Sequence, residues 1–234
     1  MLAKTFIVLF ILTTHCMCKE KDGCLKEHLI KEMERNLIEL KSINNNDQVT
    51  GFATSGTYIR WGRTTCSLDA TPVYDGFAGG KGHTTGGSGS NFLCLPKDPE
   101  WNNFTEGGIS FSGHIYGIEY EIFNDKPYSK SFLDKDMPCV VCLSRRSTIL
   151  MVPGKITCYD GWHKEFSGYL MSESNMKDRT SSEYICVDEQ LEAVPGGDAS
   201  LNQGLVYPVE GVCGQLKCPP YVAGRQLTCV VCSR

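Results

Sequence analysis

A chain of 234 residues, 41% apolar and 21% charged, has enough apolar content for one large folded domain or two small ones, which excludes a disordered tail as its main body. Its formal net charge of −4, with no basic run or cationic face, makes nucleic acid and anionic membranes poor partners. Thirteen cysteines are the outlier.

The chain begins MLAKTFIVLFILTTHCMC, with Lys4 ahead of the apolar run Phe6 to Leu12 and small or polar residues after it. That layout predicts a secretory signal peptide over residues 1–18, because the run is too short to span a bilayer. Cleavage after Cys16 or after Cys18 fits the small-residue rule. No later apolar stretch approaches membrane-spanning length, so the expectation is a soluble, secreted, extracellular protein in a compartment where thiols oxidise.

Next, CLKEHLIKEMERNLIELKSI (Cys24–Ile43) predicts a helix within an oligomerisation segment at 19–50. Ile30, Met33, Leu37 and Leu40 fall at a and d heptad positions with charges between them, and Asn44 to Asp47 end the run. Two heptads are marginal as a free coiled coil. Association would need an interchain disulfide through Cys24 or help from the globular part; docking on its own domain is the alternative.

Beyond residue 50 the texture is β. TYIRW, SNFLCL, IYGIEYEIF, TILMV, EYICV and GLVYPVE are short apolar or aromatic runs bounded by Gly, Pro, Asn and Asp. The stretch GFAGGKGHTTGGSGS (Gly76–Ser90) reads as a glycine-rich surface loop. It fails as a phosphate-binding loop, since Asp75 and Gly82 stand where that motif needs Gly and Ser or Thr. Asn103-Phe104-Thr105 is a glycosylation sequon, with Asn103 the candidate acceptor.

The second half repeats the first. Cys66 and Cys94 recur as Cys158 and Cys186, VYDGF (Val73–Phe77) as EFSGY (Glu165–Tyr169), IYGIE (Ile115–Glu119) as VYPVE (Val206–Glu210), and CVVC at Cys139–Cys142 as CVVC at Cys229–Cys232. The order is kept and the offsets stay between 90 and 92 residues. An internal duplication is the economical reading. It predicts two related β subdomains at 51–144 and 145–234, with the pair Cys213 and Cys218 confined to the second.

Two CxxC words admit zinc, thiol redox or structural disulfides. Pairs ninety residues apart in equivalent places do not look like one Cys₄ zinc site, and export favours oxidation. A redox CxxC opens a helix, whereas the Val-Val spacer favours a strand and the second copy ends the chain. Disulfides remain. Four cysteines in a copy permit three connectivities. Nesting would close each copy through Cys66–Cys142 and Cys94–Cys139, then Cys158–Cys232 and Cys186–Cys229, with Cys213–Cys218 as a small extra loop. Each long bridge would restrict the unfolded chain by roughly 4 kcal/mol.

ITCYDGWHKEFSGYLM (Ile156–Met171), Cys186, the Cys213/Cys218 pair and the terminal LTCVVCSR resemble the non-collagenous C-terminal domain of type IV collagens, with its Cys-x-x-Gly-Trp motif at Cys158–Trp162. RWGRTTC, VYDGFAGG, SNFLCLP and IYGIEYE are closer still to the C-terminal domain of spongin short-chain collagens. The resemblance spans about Tyr58 to Arg234. It implies a mainly β head of two related subdomains with nested disulfides, associating into trimers and setting the register of a matrix polymer. The chain departs from type IV collagen in carrying four rather than six cysteines in its first half, and no Gly-X-Y run exists from which to wind a triple helix.

No catalytic set or cofactor motif emerges. His83, His114 and His163 lack a ligand or nucleophile at motif spacing, and Asp134/Asp136 and Asp188/Glu189 read as solvated loop charge rather than a calcium loop. Trp61, Trp101 and Trp162 read as core anchors. The expectation is a non-enzymatic, extracellular-matrix-type structural or interaction protein, self-associating as a trimer and meeting a matrix protein or glycan. A lectin-like recognition module using the glycine-rich loop on carbohydrate or foreign surfaces is the alternative.

Overall fold

The β-branched and aromatic runs form strands, as their side chains suit a pleated, half-buried surface. A computed structural model describes residues 55–234 apart from 109, 124–126 and 129, together with Glu32. The chain divides into Met1–Phe52 and Ala53–Arg234, and the strands lie in the second. The expected leader, the helix at Cys24–Ile43 and Cys24 itself lie outside the described residues, Glu32 excepted.

The first half supplies β1 (Thr57–Trp61), β2 (Thr71–Gly80), β3 (Leu93–Pro96), β4 (Tyr116–Tyr120), β5 (Lys135–Asp136) and β6 (Pro138–Leu143). The second supplies β7 (Ile149–Pro153), β8 (His163–Ser172), β9 (Ile185–Asp188), β10 (Gly204–Pro208) and β11 (Thr228–Ser233). In the first, β6 lies between β1 and β2, and β2 also pairs β3 and β4, all antiparallel. In the second, β11 lies between β7 and β8, and β8 also pairs β9 and β10, again antiparallel. The same pairing scheme therefore occurs in both halves.

Two parallel contacts join them: Trp61 opposite Val187 between β1 and β9, and Gly204, Leu205 and Val206 opposite Ile118, Glu119 and Tyr120 between β10 and β4. The pairings β10-β4-β2-β6-β1-β9-β8 return to β10. Closing a sheet on itself removes strand edges that would otherwise template association.

The cores are shared as well. One contains Trp61, Phe92, Ile118, Tyr120 and Met137 from the first half with Met171, Ile185, Val187 and Val206 from the second. The other joins Tyr58, Val140 and Cys142 to Phe166, Leu170, Cys186, Cys229 and Val231. Both cores draw side chains from both halves, so the head packs as one unit.

Three expectations need correction. Gly76 to Gly80 belong to β2 and not to a loop. A Cβ on Gly76 would lie 1.8 Å from the Leu95 carbonyl oxygen, and one on Gly168 would lie 1.8 Å from that of Val187. These glycines serve close strand approach rather than turning. Asp188 is not solvated loop charge: it ends β9, is 1% exposed, and pairs with Arg60 at 2.7 Å. Of the tryptophans, Trp61 is buried, but Trp101 is 79% exposed, because its polar loop brings no second layer over it.

Candidate functional site

The cysteines sit where the strands need covalent closure. In each CVVC word the two cysteines lie three apart on a strand, on opposite faces. Each therefore reaches a different partner. The structure brings together Cys66 with Cys142 and Cys94 with Cys139 in the first half, then Cys158 with Cys232 and Cys186 with Cys229 in the second, at Cα separations of 5.7 to 5.9 Å. Cys213 and Cys218 close a small loop. Five disulfides fit an oxidising, extracellular-type environment.

Between the halves runs a seam of buried and half-buried carboxylates. Glu165 on β8 lies within it, its side chain 1% exposed. Its Oε2 accepts hydrogen bonds from Ser67 Oγ (2.6 Å) and Tyr58 Oη (3.0 Å), and its Oε1 from Ser233 Oγ (2.6 Å) and Ser144 Oγ (2.9 Å). Three of the four donors come from the first half. Arg146 Nη1 stands 4.0 Å from Oε1. Burial pushes the Glu165 carboxyl up, but the donors Ser233, Ser67, Ser144 and Tyr58 outweigh it and hold the group below its ordinary value. Burial first, and then the neighbouring Glu165 charge, push the Tyr58 phenol up to about 12.

The same pattern extends along the seam. Asp188 takes Arg60 Nε at 2.7 Å while the Arg60 guanidinium lies over the Phe166 ring. Glu192 accepts from Thr64 N and Oγ1 (2.8 and 2.6 Å) and lies 3.1 Å from Arg63. In the reverse direction, Glu119 of the first half accepts from Leu201 N and Asn202 N at 3.1 Å. Charge-assisted bonds in a low-dielectric seam fix register more firmly than apolar contact alone.

Two of the grooves on the head bear on what it could meet. One, about 380 Å³, lies among β1, β7 and β9 and is lined by Tyr58, Ile59, Trp61, Ile149, Met151 and Tyr184 among others. The other, about 410 Å³, is walled by Gly80, Ser88 and Gly89 of the glycine-rich region and by Gly113, over Leu93 and Leu95. In the sequon loop, Asn103 is exposed, as are Phe104 and Phe111. His83 Nδ1 lies 2.9 Å from the Gln203 carbonyl, and His163 Nε2 lies 3.3 Å from Asp69.

Sequence reasoning missed one further cluster. Glu119, Glu121 and Asp134 each place a carboxylate oxygen within 4.8 Å of the others, the arrangement among the described residues that would suit a metal ion. Adjacent acidic letters were the visible signal, and these three are brought together only by strand pairing. No protein-family model matches the chain, and no curated protein matches it significantly.

Proposed function

We propose that the chain is a secreted, non-enzymatic structural or interaction protein of extracellular-matrix type, whose head is a tandem duplication resembling the C-terminal domains of spongin short-chain and type IV collagens. The observation that carries this reading is the repeated unit itself. The same strand pairing and the same nested bridges occur in both halves, as that resemblance implies. A head closed in this way is built to persist outside the cell: its bridges restrict the unfolded chain, and its two halves share their cores.

In this reading the N-terminal helix and Cys24 join copies of the chain, with a trimer as the assembly, and the groove among β1, β7 and β9 is the surface through which heads meet. Its lining is mostly apolar and aromatic, with Asn91 and Glu183 beside it, which suits a protein contact. The second groove favours the same class of occupant over carbohydrate, because Leu93, Leu95 and Ile115 line it. The test is the mass of the secreted protein by light scattering, with non-reducing gels of the parent and Cys24→Ser. The reading expects a trimer whose covalent species vanish in Cys24→Ser. A parent that is monomeric throughout contradicts it, and robust glycan-array binding lost on deleting residues 81–90 would favour the lectin-like alternative.

A further inference from the structure

Residues alternate faces along a strand, so Glu119 and Glu121 point to one side of the β4 segment while Tyr120 and Ile122 enter the core on the other. Glu119 is 3% exposed and Glu121 is 4% exposed. Asp134, held at φ 57°, donates its amide to the Tyr120 carbonyl at 3.0 Å and so brings its carboxylate to the same place. Three acidic groups are thereby gathered where β4 meets β10, with Glu121 N donating to the Val206 carbonyl at 2.9 Å.

Hydrogen bonding does not account for this cluster. Glu119 is satisfied by Leu201 N and Asn202 N. Glu121 is not: its Oε1 is buried and has no hydrogen-bond partner. An ionised oxygen taken out of water without a partner costs several kcal/mol, so native proteins pair such groups or give them a metal. Arg179 draws on this carboxyl, but it makes no hydrogen bond to that oxygen, and its own Nη1 is buried without a partner.

We propose that Glu119, Glu121 and Asp134 bind a calcium ion. Calcium sits about 2.3–2.6 Å from its oxygen ligands, so oxygens around one ion lie no more than roughly 5 Å apart. The three carboxylates meet that limit. All the donors are hard oxygens, and calcium tolerates the irregular coordination that Glu119 in β4, Glu121 just past its end and Asp134 in a turn offer. The remaining positions belong to second carboxylate oxygens or water. A divalent charge offsets the mutual repulsion of the acids and satisfies the orphaned Glu121 oxygen. Because Glu119 also holds the amides of Leu201 and Asn202, the ion ties the first half to the second.

Extracellular calcium modules bind with dissociation constants of about 0.1–1 mM. An ion that binds only the native head raises its melting temperature by mass action. At 5 mM calcium and a dissociation constant of about 0.5 mM, the rise is about 3–6 °C. The test takes the full secreted chain, strips it with a chelator, and titrates it with calcium chloride by calorimetry and thermal melting. One saturable ion per chain and a rise of that size support the site. Glu121→Gln and Asp134→Asn should each abolish the calcium-dependent rise. The chelated Glu121→Gln protein should melt no lower than the chelated parent, since a like charge has been removed. No saturable calcium binding by the folded parent up to 10 mM, or binding retained in the double variant, overturns the proposal.

Discussion

Replacing Glu165 by Gln tests whether the polar seam holds the halves together. The substitution keeps the shape of the side chain but turns one acceptor oxygen into a donor and removes the charge. Four hydroxyls, from Tyr58, Ser67, Ser144 and Ser233, now point at that carboxylate. A hydrogen bond to a charged group contributes about 1.5–3 kcal/mol, and bonds sharing one acceptor do not add fully. Two hydroxyls can rotate to accept from the new amide, and the buried charge no longer has to be desolvated, so the net loss is about 3 kcal/mol. For a head of this size that is about 6–12 °C in melting temperature. The assay is thermal and denaturant unfolding of parent and variant across pH, with disulfides intact. The folded Glu165 carboxyl titrates below its ordinary 4.5. Its stabilisation is therefore fully present above that value and is lost as pH falls through the lowered folded value. The gap between parent and variant should stay constant from pH 6 to 8 and narrow in acid. An unchanged melting temperature at pH 7, or a gap that widens in acid, would refute the reasoning.

Gly168→Ala places a methyl group 1.8 Å from the Val187 carbonyl oxygen, and backbone cannot rotate away. It should cost at least about 3 kcal/mol and break the β8–β9 ladder, seen as lost amide protection at Met171, opposite Ile185; Gly76→Ala should behave alike at β3. The double variant Cys186→Ala with Cys229→Ala removes a bridge spanning 43 residues and should lower stability by about 4 kcal/mol, measured by denaturant midpoint. Residues 51–144 or 145–234 expressed alone should show no cooperative melting transition, because each loses the other's contribution to both cores.

The features carried in the sequence by spacing are the ones the structure arranges as pairs. CVVC recurs in register, and in a strand that spacing sends its two cysteines to opposite sides, toward distant partners. Strand texture was legible in β-branched runs such as those of β6 and β11. Glycine misled at Gly76, because the letter signals backbone freedom and close approach alike, and only the neighbouring strand decides between them. The buried carboxylates were hidden for a related reason. Glu165 aligns with Val73 in the repeat, yet Glu165 is 5% exposed and Val73 is 56% exposed. An acid replacing an apolar residue reads as a surface change, and its burial follows from hydroxyls far away in the chain. Glu121 and Asp134 likewise meet only through the fold.

The central claim is that both halves are locked by nested bridges into one oxidised head. Mass spectrometry of peptides from the native secreted protein, digested without reduction after alkylation of free thiols, tests it most directly. The account predicts linked peptides for Cys66–Cys142, Cys94–Cys139, Cys158–Cys232 and Cys186–Cys229, with Cys213 and Cys218 joined in one peptide. Alkylated CVVC cysteines, or either CVVC bridged within itself, would contradict it.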